Sequence, residues 1–421
     1  MFLGSLIVKS INKSAKLIET LGLGFFVGHG LYSLMLFLLL YFGLKPNIAS
    51  SVFAIFLLIT VSILSYLLSK SKTNHINTKF YLKNKLGKTK PLLYLILLVI
   101  ALSLVSNIYW PPFDWDSVAL YDMRALKIIE IGSLDAIKGE YYYLTYPFFT
   151  TMSHLSAYVM GAKNPSCLYT IYLSLYLSCL FCVYKLKSLF PLVLIVLNTL
   201  IFQHSTMAYT NLPYTIYFTL SVAYLYKWLK TKTISYLYLS SLLLPLSYWT
   251  RSFEPFWILP ILCVLYMSIR NRQIYPFITY TLPLFVVMYF WKKYLILSGI
   301  PTGGALTEYG GLFSKLNYSS IALSDSVKYI VENLLFPNFL LIIIYIASTI
   351  IKLLKNKNLN IIDYFIFGIV AICFAGAYLY RLNGIYDDWI QLGESYKRIS
   401  MIFVPLFSIQ IYINIFKSTH E

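Results

Sequence analysis

Apolar blocks of about 20 residues recur along this chain, and that is the length an α-helix needs to cross a bilayer. Residues 22–43, 50–69, 91–110, 167–184 and 361–380 are examples, separated by short polar stretches that often carry lysine. Hydrocarbon offers no water to the backbone, so each block must close its own hydrogen bonds, as a helix does. Strands of a membrane barrel alternate apolar and polar residues over about ten positions, and these blocks do not alternate. Charged residues are 12% of 421 and hydrophobic residues 59%, whereas a soluble domain carries about 25% charge. The predicted fold class is all-α, a polytopic membrane helix bundle.

The net charge of +18 does not indicate a nucleic-acid partner. The lysines sit in short loops beside apolar blocks, where basic residues set membrane orientation. Lys70, Lys72, Lys79, Lys83, Lys85, Lys88 and Lys90 share one loop with no acid, which predicts a cytoplasmic loop and, two spans earlier, a cytoplasmic N-terminus. Residues 1–20 read as a basic amphipathic segment on the inner surface. Basic clusters at Lys185/Lys187, Lys227/Lys230/Lys232, Arg270/Arg272 and Lys352/Lys355/Lys357 then pair the later spans. These fall near 166–184, 189–203, 211–229, 234–250, 255–269, 275–297, 333–351, 361–380 and 398–416.

Residues 146–161 are left over and read as a helix lying on the outer surface, giving twelve spans with both termini inside. The expected divisions are 1–90 (amphipathic segment, two spans, basic loop), 91–297 (a core containing the outer loop 111–165), 298–332 (a glycine-flanked outer loop that suits a lid) and 333–421 (the last spans). The first apolar block is too long for a signal-peptide core and is followed at once by a second, so it reads as an anchor. Cys167, Cys179, Cys182, Cys263 and Cys373 all fall inside apolar blocks and read as small packing residues, not metal ligands.

On this topology every acid except Glu19, Asp363 and Glu421 faces outward. A membrane protein with few charges that gathers carboxylates at one face is expected to have its site there. The loop 111–165 opens Pro111-Pro112-Phe113-Asp114-Trp115-Asp116 and continues through Asp122 and Arg124. Two carboxylates two residues apart can supply a general base, or together hold a divalent cation through oxygen. A wet interfacial loop explains the same residues without chemistry. From 117 to 131 the apolar spacing suits a surface helix, with Asp114 and Asp116 just before it.

Taken in order, these motifs resemble the GT-C glycosyltransferases, such as the protein O-mannosyltransferases and aminoarabinose transferases. An apolar span leads to the acidic Asp114-Trp115-Asp116 start of a large outer loop, and Tyr146-Pro147-Phe148 opens a helix ending at Gly161. Tyr209-Thr210-Asn211-Leu212-Pro213 resembles the family's short outer turn, Arg251-Ser252-Phe253-Glu254 its Arg-plus-Glu turn, and Arg398 its late basic residue. The likeness covers about residues 91–416. Two spans precede the family-like core, and Phe148 stands where a second proline is usual.

The resemblance implies a polyprenyl-phosphate-linked sugar as donor, entering from the bilayer, and a glycan, lipid or protein hydroxyl as acceptor. It implies inversion at the anomeric carbon, with Asp116 as base and Asp114 assisting or binding metal; Asp114 as base is the alternative. Arg398, Lys397 and Arg251 are the candidates for holding the departing phosphate. Asp122, Arg124, Tyr146, His154, Glu254, Asp387 and Asp388 are further substrate candidates. Arg251 and Glu254 can equally pair with one another, and His154 can be a satisfied structural histidine. No cofactor beyond a divalent cation is implied, and the composition suggests a bacterial plasma membrane. A flippase or transporter and a polysaccharide polymerase or ligase are the competing readings.

Overall fold

The computed structural model describes residues 1–69, 90–112, 114–137, 146–252, 254–299, 319–355, 357–382 and 395–417. Among the described residues all regular structure is helical and there is no strand. Among the described residues seven helices are long and apolar enough to cross a membrane: Leu17–Tyr41, Ile48–Ser65, Lys90–Tyr109, Cys167–Tyr184, Ser320–Leu354, Ile361–Leu382 and Ser395–Phe416. The other segments expected to span are helical but shorter or more polar. Asn211–Thr231 and Tyr275–Leu297 have the length, yet the first carries four tyrosines and the second Lys292 and Lys293.

The segment 189–203, expected as one span, is two short helices, Phe190–Val196 and Thr199–Ser205. Asn198 is the reason. Its Oδ1 accepts from the amides of Leu200 and Ile201 at 3.1 and 3.3 Å, starting a new helix in mid-segment. A second departure concerns the loop expected at 298–332. Its end is helix from Ser320 onward, continuous with the span that follows.

The chain forms two compact units. Unit 1 is Met1–Ser252 with Val264–Ile300, and unit 2 is Phe253–Cys263 with Pro301–Glu421. Unit 1 contains α1 (Phe2–Ile11), α2 (Leu17–Tyr41), α3 (Ile48–Ser69), α4 (Lys90–Tyr109), α5 (Met123–Ile131), α6 (Phe149–Val159), α7 (Cys167–Tyr184), α8 (Phe190–Val196), α9 (Thr199–Ser205), α10 (Asn211–Thr231) and α11 (Ile234–Thr250). Helix α12 (Ile258–Arg270) bridges the division of the chain, and α13 (Tyr275–Leu297) belongs to unit 1.

Residues 1–20 do not lie free on a surface. Gly4 of α1 backs onto the Gly24 carbonyl and Gly28 of α2 with no room for a Cβ, and Gly4, Ser5, Ile7 and Val8 are buried. Glycine on both sides lets two helices meet backbone to backbone, so this amphipathic helix finds a protein partner. Helix α2 is the axis of the unit. Its Phe26 carbonyl accepts from the Tyr217 hydroxyl at 2.8 Å, and its Ser33 hydroxyl accepts from the Trp249 indole at 3.0 Å. At its start Glu19 accepts from the Tyr224 hydroxyl at 2.8 Å and from Lys227 at 3.4 Å, with the Lys227 ammonium 4.8 Å above the Tyr236 ring. At its other end Phe37 meets Phe148, Trp249, Trp291 and Tyr294. The last turns of α2, α11 and α13 therefore converge at one end of the unit, away from Glu19.

Unit 2 contains α14 (Ser320–Tyr329), α15 (Phe339–Leu354), α16 (Ile361–Leu382) and α17 (Phe403–Tyr412). Asp363, fully buried, ties three of them together. It accepts from Tyr345 at 2.9 Å, Lys352 at 3.3 Å, Gln410 at 3.1 Å and the Asn360 amide at 2.8 Å. Arg381 Nε donates to Asp325 at 2.6 Å between α16 and α14.

Candidate functional site

The residues singled out between 114 and 124 lie at the Phe37 end of unit 1. The chain is helical from Trp115, two residues before the start that the spacing predicts, so Asp116 lies inside the helix and only Asp114 precedes it; Gly132 ends the helix with a left-handed φ of 82°. Residues Ser117–Asp122 form a wide π-helical turn before α5, a local geometry frequent at functional sites. Asp116 is the helical residue immediately before that turn and Asp114 lies two residues earlier, both half-buried.

Tyr121 is the centre of the cluster, although the spacing marks it only as an apolar-face residue. Burial holds its hydroxyl far above the ordinary tyrosine range; Tyr146 and Asp116 push the same way, while Arg251 and Arg124 oppose them. One buried hydroxyl thus lies within electrostatic reach of a carboxylate and two arginines contributed by two separate stretches of chain. The signal that could have found it is position. Tyr121 lies five residues after Asp116 and three before Arg124, on the continuous helical stretch that carries both.

Both arginines are buried, Arg124 at 3% and Arg251 at 4% exposure. Arg251 Nη1 donates to Asn211 Oδ1 at 2.7 Å, and its guanidinium lies 5.4 Å from the centre of the Tyr146 ring. The Thr210 hydroxyl donates to the Thr250 carbonyl at 2.5 Å, so the turn at 209–213 and the turn at 250–251 are locked side by side. Arg124 stacks on Phe148 at 5.9 Å, and Phe148 rests on Trp291 and Tyr294. The position where proline was expected is filled by an aromatic floor beneath a cation.

Asp122 and His154 are brought together, but as partners of each other. Asp122 Oδ1 lies 3.0 Å from His154 Nδ1 and accepts from the Tyr158 hydroxyl at 2.5 Å. Burial, then the hydrogen bond to Asp122 and its charge, raises the Tyr158 hydroxyl above the ordinary range. His154 is fully buried, and its contact to Asp122 clasps α6 to the Asp122 turn. Helix α6 is found where a helix was expected, yet it does not lie exposed on a surface. All of Phe149–Leu155 is buried, with Phe149 against Tyr172 and Tyr217.

Glu254, Lys397 and Arg398 belong to unit 2. Glu254 is buried and close enough to Cys373 to act on it electrostatically. The Tyr396 hydroxyl donates to the Cys373 carbonyl at 2.9 Å, which sets the neighbouring Lys397 and Arg398, both half-buried, at the opening of the last helix. Asp387 and Asp388 lie outside the described residues. For a metal, no group of three or more His, Cys, Asp or Glu side chains comes together among the described residues. A cation at Asp114 and Asp116 would rest on those two carboxylates and water, a donor set that magnesium accepts.

No family model, curated protein or solved structure matches this chain.

Proposed function

We propose that the chain is a GT-C-type membrane glycosyltransferase that moves a sugar from a polyprenyl-phosphate donor to an acceptor hydroxyl. The observation that supports this reading is the juxtaposition of Asp116 with two buried arginines, Arg124 and Arg251, around Tyr121. A carboxylate at the head of the turn removes the acceptor's proton as its oxygen attacks the anomeric carbon. The bond from that carbon to the phosphate oxygen breaks, and the phosphate leaves with the electron pair. Buried guanidiniums are suited to hold that anion, because charge-assisted bonds strengthen where water is excluded. By the family resemblance, Arg398 and Lys397 remain candidates for phosphate and Glu254, Asp387 and Asp388 candidates for sugar. Asp114 assists the base or holds a divalent cation, whose chemistry would be to neutralise phosphate charge. The reading carries with it twelve spans, both termini cytoplasmic and a bacterial plasma membrane.

The experiment is donor turnover by the purified protein in lipid. Wild type and Asp116→Asn are incubated with a panel of polyprenyl-phosphate sugars and acceptors, and released polyprenyl phosphate is measured. Release by wild type alone supports the reading. Equal release by both keeps the class and removes Asp116. Binding without release shifts the reading to a flippase.

A further inference from the structure

At the end of unit 1 opposite the Asp116 turn, the first halves of α11 and α13 flank an apolar groove of about 640 Å³. Pockets for small molecules run from roughly 300 to 1,000 Å³. Leu242, Ile278 and Leu282 form its walls, Ile11 of α1 reaches its side, and Tyr238 and Tyr275 stand at its rim. The two tyrosine hydroxyls hydrogen-bond to each other at 2.5 Å, linking α11 to α13. Ile278 and Leu282 are 52% and 58% exposed, so the groove opens sideways.

Each of the two flanking helices carries an internal proline. Pro283 lines the groove inside α13, and Pro245 lies inside α11. Proline has no N–H, so the carbonyls of Thr279 and Ser241 lose their helical donors. Both of those residues also line the groove. Interrupted ladders bend helices, and here the two interruptions flank the same space.

Length and charge identify the occupant. From Tyr275 to Pro283 the groove follows eight residues of helix, or about 12 Å, close to one leaflet of a hydrocarbon core about 30 Å thick. Arg270 and Arg272, both exposed, stand immediately before the groove-lining Ile274, and Lys13 follows Ile11 by two residues. No acid occurs in 1–18 or 255–307, or anywhere on α11. A greasy slot of one leaflet's depth, opening toward lipid and rimmed by hydroxyls and the exposed Arg270 and Arg272, fits a lipid with a negative headgroup.

We infer that this groove binds one acyl chain of an anionic glycerophospholipid, with the phosphate held at Arg270 and Arg272. The arginines reach the headgroup level while their stems cover the rim. One rim tyrosine hydroxyl donates to the other, whose own O–H is left to donate to a phosphate or ester oxygen. This site is independent of the transferase reading.

The test is photo-crosslinking of the full chain in vesicles that contain phosphatidylglycerol or phosphatidylcholine with a diazirine on the acyl chain, mapped by peptide mass spectrometry. Labelling of Leu242, Ile278 or Leu282 should favour phosphatidylglycerol by at least about fivefold, since each basic residue near an anionic surface contributes roughly that factor. Arg270→Gln with Arg272→Gln, both at exposed positions, should remove the preference and leave chain labelling in place. Leu242→Trp with Ile278→Trp should remove the labelling by filling the groove, with the gel-filtration profile unchanged. Equal labelling by both lipids in wild type would overturn the proposal, as would a crosslink to a second copy of the chain in place of lipid. If the filled variant does not fold, the arginine variant decides: a preference that survives it overturns the headgroup site.

Discussion

Arg251 Nη1 donates to Asn211 Oδ1 at 2.7 Å, joining the last residue of one helical hairpin arm to the first turn of the other. The pair is buried on both sides, so it fixes where a positive charge stands at the Asp116 end of unit 1. Asn211→Ala should therefore cost about 1.5–3 kcal/mol, the range for a hydrogen bond to a charged group. The measurement is the thermal midpoint in detergent. Asn211→Asp, which keeps an acceptor and adds charge, should recover most of the loss.

Asp116→Asn is expected to lower sugar transfer by about 10²–10⁴-fold, the contribution of a positioned general base. Asp114→Asn should lower it less in saturating divalent cation. Steady-state turnover of both variants at several cation concentrations checks the order. The reverse order would make Asp114 the base.

The Tyr158 contact to Asp122 gives a pH signature. The folded-state value of Tyr158 is raised above the usual 10.0, so its stabilising contribution is full below about pH 10 and is lost as pH rises toward the folded value. Tyr158→Phe should thus be less stable than wild type near neutrality, and the gap should narrow above pH 10. Melting curves of both proteins from pH 7 to 11 would show it. A gap that stays constant across that range would detach the hydroxyl from the clasp.

In unit 2 the Lys352–Asp363 pair, at 8% and 0% side-chain exposure, predicts a strong single-variant effect. Lys352→Met leaves Asp363 buried without its cation and should cost about 3–5 kcal/mol. Lys352→Met combined with Asp363→Leu should be milder than either change alone. Thermal midpoints of the three variants form the double-mutant cycle.

For topology, a reporter fused after Gly161 is expected to read outside. A cytoplasmic signal there would move residues 114–161 to the other face and remove the donor-facing role proposed for Asp116.

The helical, apolar character of the chain was legible from block length alone, because a bilayer leaves the backbone one local way to pair its hydrogen bonds. The order of the motifs at Asp114, Tyr146, Asn211 and Arg251 was also legible, since each sits at a helix end where the pattern breaks. Interior polar partnerships were not. Asp122 and His154 are 32 residues apart, and no local period says that one carboxylate will be taken up by that imidazole and so kept as a clasp. Asn198 was visible, but only the fold shows it starting a helix inside an apolar run. Glycines at 4, 24 and 28 likewise become a seam only when α1 folds back on α2. The sequence by itself determined where helices must form, through burial of backbone polar groups in an apolar solvent. The tertiary structure alone decided which helix ends meet, because that choice rests on side-chain shape and on pairing charges far apart in the chain. It is what put Arg251 and Arg124 around Tyr121.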